Sequence, residues 1–276
     1  LSLHDALPIF YYECVGAGRP VVFVHETCDD LRSWRAQCEG LADGWRSIAF
    51  NARGYAPSGR GAQPDTHDHR RLADDIGVVM DAAGVRSAFV VGLSMGAHVA
   101  AHFALAHARR VAGLVLVGLG AGAADPPAFH ARMREMASAV RRDGTAPLVA
   151  LTSQAAHRVQ LGRKDPAAFD ALLDRLRGFD AQGLADVLEH YHARRPSIYD
   201  SEAALRALQV PTLVVVGDED TGCFEPALFL RRTLPQASLW VCPRTGHAVH
   251  LEEPEPFNAA LRAFFTDVER GWGGAS

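Results

Sequence analysis

The sequence predicts an α/β protein in which a mostly parallel sheet is covered by helices on both faces, and three observations carry that expectation. Short apolar runs at Val21 to Val24, Ser47 to Phe50, Ala88 to Gly92, Val111 to Val117 and Leu213 to Val216 alternate with amphipathic stretches. The segment Gly92-Leu93-Ser94-Met95-Gly96 stands between one such run and one such stretch. A long segment between the run ending near Leu119 and the run starting at Pro211 is helical in pattern and contains no convincing strand.

From Ile9 to Val15 the residues are aromatic and β-branched, and Gly16-Ala17-Gly18 then turns the chain into Val21 to Val24, which reads as a hairpin entering a buried strand. Helical patterns are expected over Leu31 to Leu41, His69 to Ala83, Met95 to Ala108, Pro226 to Leu234 and Pro254 to Val268, several opened by Asp, Pro or Glu. The long segment supplies four more, Arg132 to Arg142, Ala146 to Val159, Pro166 to Arg177 and Leu184 to His192. An insertion at that point lies over the carboxyl ends of the strands, where open α/β sheets place their ligands, and it reads as a lid or cap. The first eight residues resemble a translated sequencing adaptor and are expected to be non-native or disordered.

With 276 residues, 48% hydrophobic and 22% charged, one large domain is expected. The net charge of -4 is spread along the chain without a basic stripe, so small molecules are expected as partners rather than nucleic acid or a membrane. No run approaches the roughly 18 apolar residues of a spanning helix. Five scattered cysteines without C-x-x-C spacing point away from a disulfide framework and a zinc site, and toward a reducing cytoplasm. No amphipathic seam stands apart from the helices that cover the sheet, so the oligomeric state stays open.

The chemistry begins at Ser94. It follows Phe89-Val90-Val91 and precedes a helical pattern, the strand, tight turn and helix that G-x-S-x-G needs to form a nucleophile elbow. A serine hydroxyl is weakly nucleophilic, so it needs a general base and an acid to orient that base. Asp220 follows the buried strand that ends at Gly217, and His247 follows the last strand, Ala237 to Val241. The order Ser94, Asp220, His247 singles out one histidine among thirteen, with His250 the alternative base. His98 and His102, on the helix after the elbow, read as packing residues. An oxyanion needs two donors: the backbone N–H of Met95 is one, and the loop His25-Glu26-Thr27-Cys28 offers Thr27 as the second. Cys28 reads as a small packing residue.

Together with the segment Asn51-Ala52-Arg53-Gly54-Tyr55-Ala56-Pro57-Ser58 and the ending Gly246-His247-Ala248-Val249-His250, these motifs resemble the α/β-hydrolase family over nearly all of Val21 to Phe265. The resemblance implies a mostly parallel sheet of the eight-stranded type, with a helical cap inserted after the sixth strand. The hydrolase core would then span residues 9–123 and 206–272, and the cap 124–205. It also implies an acyl-enzyme mechanism that needs no metal or organic cofactor.

Within the family the chain looks like 3-oxoadipate enol-lactonases and their esterase relatives, so hydrolysis of a small ester or lactone is expected. Carbon-carbon bond hydrolases, perhydrolases and signal-binding receptors with a retained triad are the alternatives. Haloalkane dehalogenases and epoxide hydrolases, which use aspartate where this chain has Ser94, are disfavoured. Two departures stand out: Glu26 replaces the family's glycine after His25, and Asn51 replaces its aspartate. An anion beside the oxyanion loop opposes catalysis unless neutralised, and Arg53 is the expected partner of Glu26.

Overall fold

The computed structural model describes residues 10–61, 67–120 and 122–272. Seven strands form one sheet in the order β1 (Tyr12–Val15), β3 (Trp45–Phe50), β2 (Arg19–Val24), β4 (Ala88–Leu93), β5 (Val111–Val117), β6 (Thr212–Gly217) and β7 (Ala237–Cys242). Only β1 runs antiparallel; every other pair is parallel. The eight-stranded type was expected, and with seven strands among the described residues the helical insertion follows the fifth of them. The expectation for the first eight residues falls outside the described part of the chain.

The runs fold as they do because both faces of a parallel sheet are covered. Along β2, Val21 and Phe23 pack with Trp34, Phe257 and Phe265, whereas Val22 and Val24 pack with Ile76, Met80 and Phe103 on the opposite face. The first layer comes from α1 (Arg35–Gly40) and the last helix, Pro254–Glu269, the second from α2 (His69–Ala82) and α3 (Met95–Ala106).

The expected hairpin between β1 and β2 does not form, because β3 lies between them. Their connection crosses the start of β3, and a Cβ on Gly16 would sit 2.4 Å from the Trp45 carbonyl oxygen. The expected helix over Leu31 to Leu41 is a 3-10 turn, Leu31–Trp34, running into α1.

Between β5 and β6 the described residues are helical or irregular. The helices are α4 (Pro126–Asp143), α5 (Ala146–Gln154), α6 (Val159–Lys164), α7 (Pro166–Arg177), α8 (Ala181–Asp186) and α9 (Glu202–Ala207). A 3-10 turn, Ala156–Arg158, precedes α6, and a π-helical turn, Val187–His192, continues α8. Aspartates start three of these helices: Asp125, Asp165 and Asp180 each accept a backbone N–H of the first turn. Their apolar faces, with Val140, Leu176, Val187 and Tyr191, join the cluster that covers one face of the sheet. The next helix, α10 (Thr221–Thr233), starts five residues before the expected Pro226, with Asp220 at its N-terminus.

Candidate active site

The chain leaves β2 for β3 on one side of the sheet and returns to β4 on the other, so the loops after β2 and β4 flank the point where strand order reverses. That is where the elbow sits. Ser94 holds φ 54° and ψ -110° between β4 and α3, a backbone state that costs a non-glycine residue about 1–3 kcal/mol. Its N–H donates to the Val117 carbonyl at 2.9 Å, and its own carbonyl accepts from the His98 N–H at 3.1 Å. The elbow glycines are needed for close approach, since a Cβ on Gly92 would lie 2.2 Å from the Gly96 carbonyl oxygen and one on Gly96 2.1 Å from that of Val24. The second contact presses the start of α3, with Met95, against the end of β2 and hence against the Thr27 loop.

Asp220 and His247 arrive from the ends of β6 and β7. Asp220 Oδ2 lies 2.6 Å from His247 Nδ1, and both residues are buried. Burial alone would lower the imidazole pKa, but the Asp220 carboxylate more than offsets it and the net shift is upward. Burial likewise opposes ionisation of Asp220, and the facing His247 brings its pKa below the ordinary value. The His247 N–H donates to the carbonyl of His157 at 2.9 Å, a contact from the inserted helical segment. Cys223 lies near this pair, and the ligand atoms of Asp220, Cys223 and His247 fall within 4.8 Å of one another. Two ligands of a tetrahedral zinc stand about 3.3 Å apart, so the 2.6 Å contact is a hydrogen bond rather than a metal-ligand pair.

Ser94, Asp220, His247, Glu26 and Thr27 all line one cavity of about 320 Å³. Its remaining wall is mostly apolar, with Phe129, Met133, Leu148, Leu151 and Leu188 contributed by the inserted segment. A larger groove of about 670 Å³, at the amino ends of β2 to β4, is lined by no histidine or carboxylate and lacks the parts for acid–base work.

Glu26 is buried, but its partner is not Arg53. Arg53 donates to both carboxylate oxygens of Asp75, at 2.8 and 2.5 Å, which occupies it. Glu26 Oε2 instead pairs with Arg158, itself buried, and lies 4.0 Å from His247 Nε2. Burial would raise the Glu26 pKa, yet Arg158 first and His247 second pull it down to about 2, so the carboxyl is ionised. Nothing in the sequence marked Arg158, which stands 132 residues away.

The other candidates separate by their surroundings. His250 packs its ring 4.4 Å from Trp34, has no hydrogen-bond partner for either ring nitrogen among the described residues, and burial lowers its pKa to about 3. The Asp220 contact thus goes to His247 and not to this alternative. His98 bridges the Pro196 carbonyl at 3.0 Å and the Tyr191 hydroxyl at 2.9 Å, a packing role, and His102 lies against its ring. Burial raises the Cys28 thiol to about 11, consistent with packing rather than nucleophilic use.

Comparison with known proteins gives the family. Residues 19–254 match the model of the α/β-hydrolase fold family. A thermophilic esterase from Thermogutta terrifontis superposes with a TM-score of 0.85 at 30% identity, covering 95% of this chain and 94% of that one. The chain is similar to 3-oxoadipate enol-lactonase 1 of Acinetobacter baylyi, 24% identical over 90% of this chain and 89% of the relative. It is also similar to 2-hydroxy-6-oxononadienedioate/2-hydroxy-6-oxononatrienedioate hydrolase 2 of Pseudomonas putida, 27% identical over 92% of this chain and 90% of the relative. The chain belongs to the α/β-hydrolase family, and its relatives include esterases and lactonases.

Proposed function

We propose that the protein is a serine hydrolase that cleaves a small carboxylic ester or lactone through an acyl-enzyme. The observation that carries this reading is the buried Asp220–His247 pair, 2.6 Å apart, lining the same cavity as the strained Ser94. With its Nδ1 proton donated to Asp220, His247 has Nε2 left to accept the Ser94 hydroxyl proton as Oγ attacks the acyl carbon. The alkoxide that develops on the substrate carbonyl is met by the backbone N–H groups of Met95 and Thr27. Proton return from His247 releases the alcohol, or opens the lactone, and water attacks the acyl-enzyme by the same route in reverse.

In this reading residues 124–205 form a cap over a core of residues 9–123 and 206–272. Its apolar side chains exclude water and favour a neutral acyl group. Glu26 adds no net charge to the cavity because Arg158 offsets it.

The test is pre-steady-state kinetics with a short-chain p-nitrophenyl ester. A burst of p-nitrophenol close to the enzyme concentration, absent in Ser94→Ala, is expected; a folded protein without turnover favours a signal-binding role instead. The upward shift of His247 fixes the pH profile: the base must be neutral, so kcat/KM should rise along an acid limb whose midpoint lies above 6.5, the ordinary imidazole value. A midpoint below it would contradict the upward shift that Asp220 gives His247. Similarity to the Pseudomonas putida hydrolase supports a second reading, attack on a carbon-carbon bond beside a ketone by the same three residues. A panel of esters, lactones and diketones separates the two.

A further inference from the structure

Four consecutive residues of the loop after β2 are each bonded to a side chain of the cap. Glu26 pairs with Arg158, and Thr27 Oγ1 lies 2.7 Å from His192 Nε2. Cys28 Sγ accepts from Thr152 Oγ1 at 3.5 Å, and Asp29 accepts twice from Arg175, at 2.5 and 2.8 Å. The cap partners come from four separate pieces: the 3-10 turn before α6, the π-helical turn, α5 and α7.

The core holds the same loop differently. His25 Nδ1 lies 2.7 Å from the Glu26 carbonyl oxygen and the Tyr55 hydroxyl donates to the Thr27 carbonyl at 2.8 Å. The core thus grips main-chain carbonyls while the cap grips side chains. Because a trans peptide points its C=O and N–H in opposite directions, fixing the Glu26 carbonyl also fixes the direction of the Thr27 N–H. The four cap contacts tie the side chains of the same stretch to the inserted helices.

We propose that Arg158, His192 and Arg175 are positioning residues that hold the Thr27 N–H at the oxyanion site when the cap is docked, so that turnover requires the docked cap. The inference rests on the reading of Thr27 as an oxyanion donor given above. A cap that closes over substrate thereby completes the oxyanion site in the same movement, and an open cap suppresses idle attack by Ser94.

Arg175 reports on this most cleanly, because neither it nor Asp29 is among the described residues that line the cavity. For Arg175→Met, kcat on a p-nitrophenyl ester should fall by about tenfold or more while KM stays within about twofold. The inhibition constant of an alkylboronic acid, whose tetrahedral adduct on Ser94 uses the same donors, should rise in parallel. Arg175→Lys should recover most of both. Unchanged kcat in folded Arg175→Met overturns the proposal, as does a loss of kcat that only matches the fraction of Ser94 unreactive toward a fluorophosphonate. If Arg175→Met fails to fold by circular dichroism, Asp29→Asn reads the same link by the same two measures. Wild-type protein that neither turns over an ester nor labels at Ser94 removes the proposed function along with this inference; wild-type turnover with an indifferent Arg175→Met removes the positioning role alone.

Discussion

Glu26 and Arg158 show how much a single position depends on a partner distant in sequence. Both are buried, so removing one leaves a charge without compensation inside the protein. Arg158→Met should destabilise the fold by about 3–5 kcal/mol in urea unfolding, and the double replacement Glu26→Leu with Arg158→Met should cost less than that single one. A double variant as unstable as the sum of the singles would contradict the pairing. His250 makes a separate claim. Its pKa is lowered to about 3 in the fold against 6.5, so the unfolded chain binds the extra proton between those values. Stability from this group is complete above pH 6.5 and is lost as pH falls toward 3. His250→Phe should flatten the acid limb of the stability profile over that interval, as followed by thermal melting across pH; a limb unchanged in slope would assign the acid sensitivity elsewhere.

Among the elements, the elbow has the least tolerance. The Gly96 position lies 2.1 Å from the Val24 carbonyl oxygen once a Cβ is added, and backbone cannot swing aside as a side chain can. Gly96→Ala should therefore lose about 2–3 kcal/mol or more of stability by urea unfolding; a neutral result would mean that β2 and α3 are not in that register. The elbow was also the most legible element, because a glycine pair around serine between an apolar run and a helical pattern has few other uses. The β1–β2 connection was misleading for an equally physical reason. Gly16 and Gly18 do supply positive φ, at 81° and 112°, but the turn carries the chain over β3 instead of back along β2. Turn chemistry gives the bend and not the partner strand. The π-helical turn at Val187–His192 had no signature to read, although it aims His192 at Thr27.

At the scale of the whole molecule, what the sequence showed and hid divides by contact range. Ser94, Asp220 and His247 could be ordered from their places after strands, since parallel topology brings strand ends to one edge whatever lies between. The contacts of Arg158 with Glu26 and Arg175 with Asp29 span 132 and 146 residues and depend on how a helical segment docks. Arg53, the expected partner of Glu26, stands in the loop after β3. Asp75, on α2, holds it with two hydrogen bonds instead. No helix among the described residues is long and apolar enough to cross a membrane. The cavity is instead roofed by the inserted helices, which also supply the side chains around Glu26 and Thr27.

That Ser94 is an activated nucleophile is most directly tested by intact-mass analysis after incubation with a fluorophosphonate. A single phosphonyl adduct mapped to Ser94, slowed strongly in His247→Ala and in Asp220→Asn, is expected. Folded protein that stays unmodified, or that carries the adduct at any other residue, would contradict the assignment.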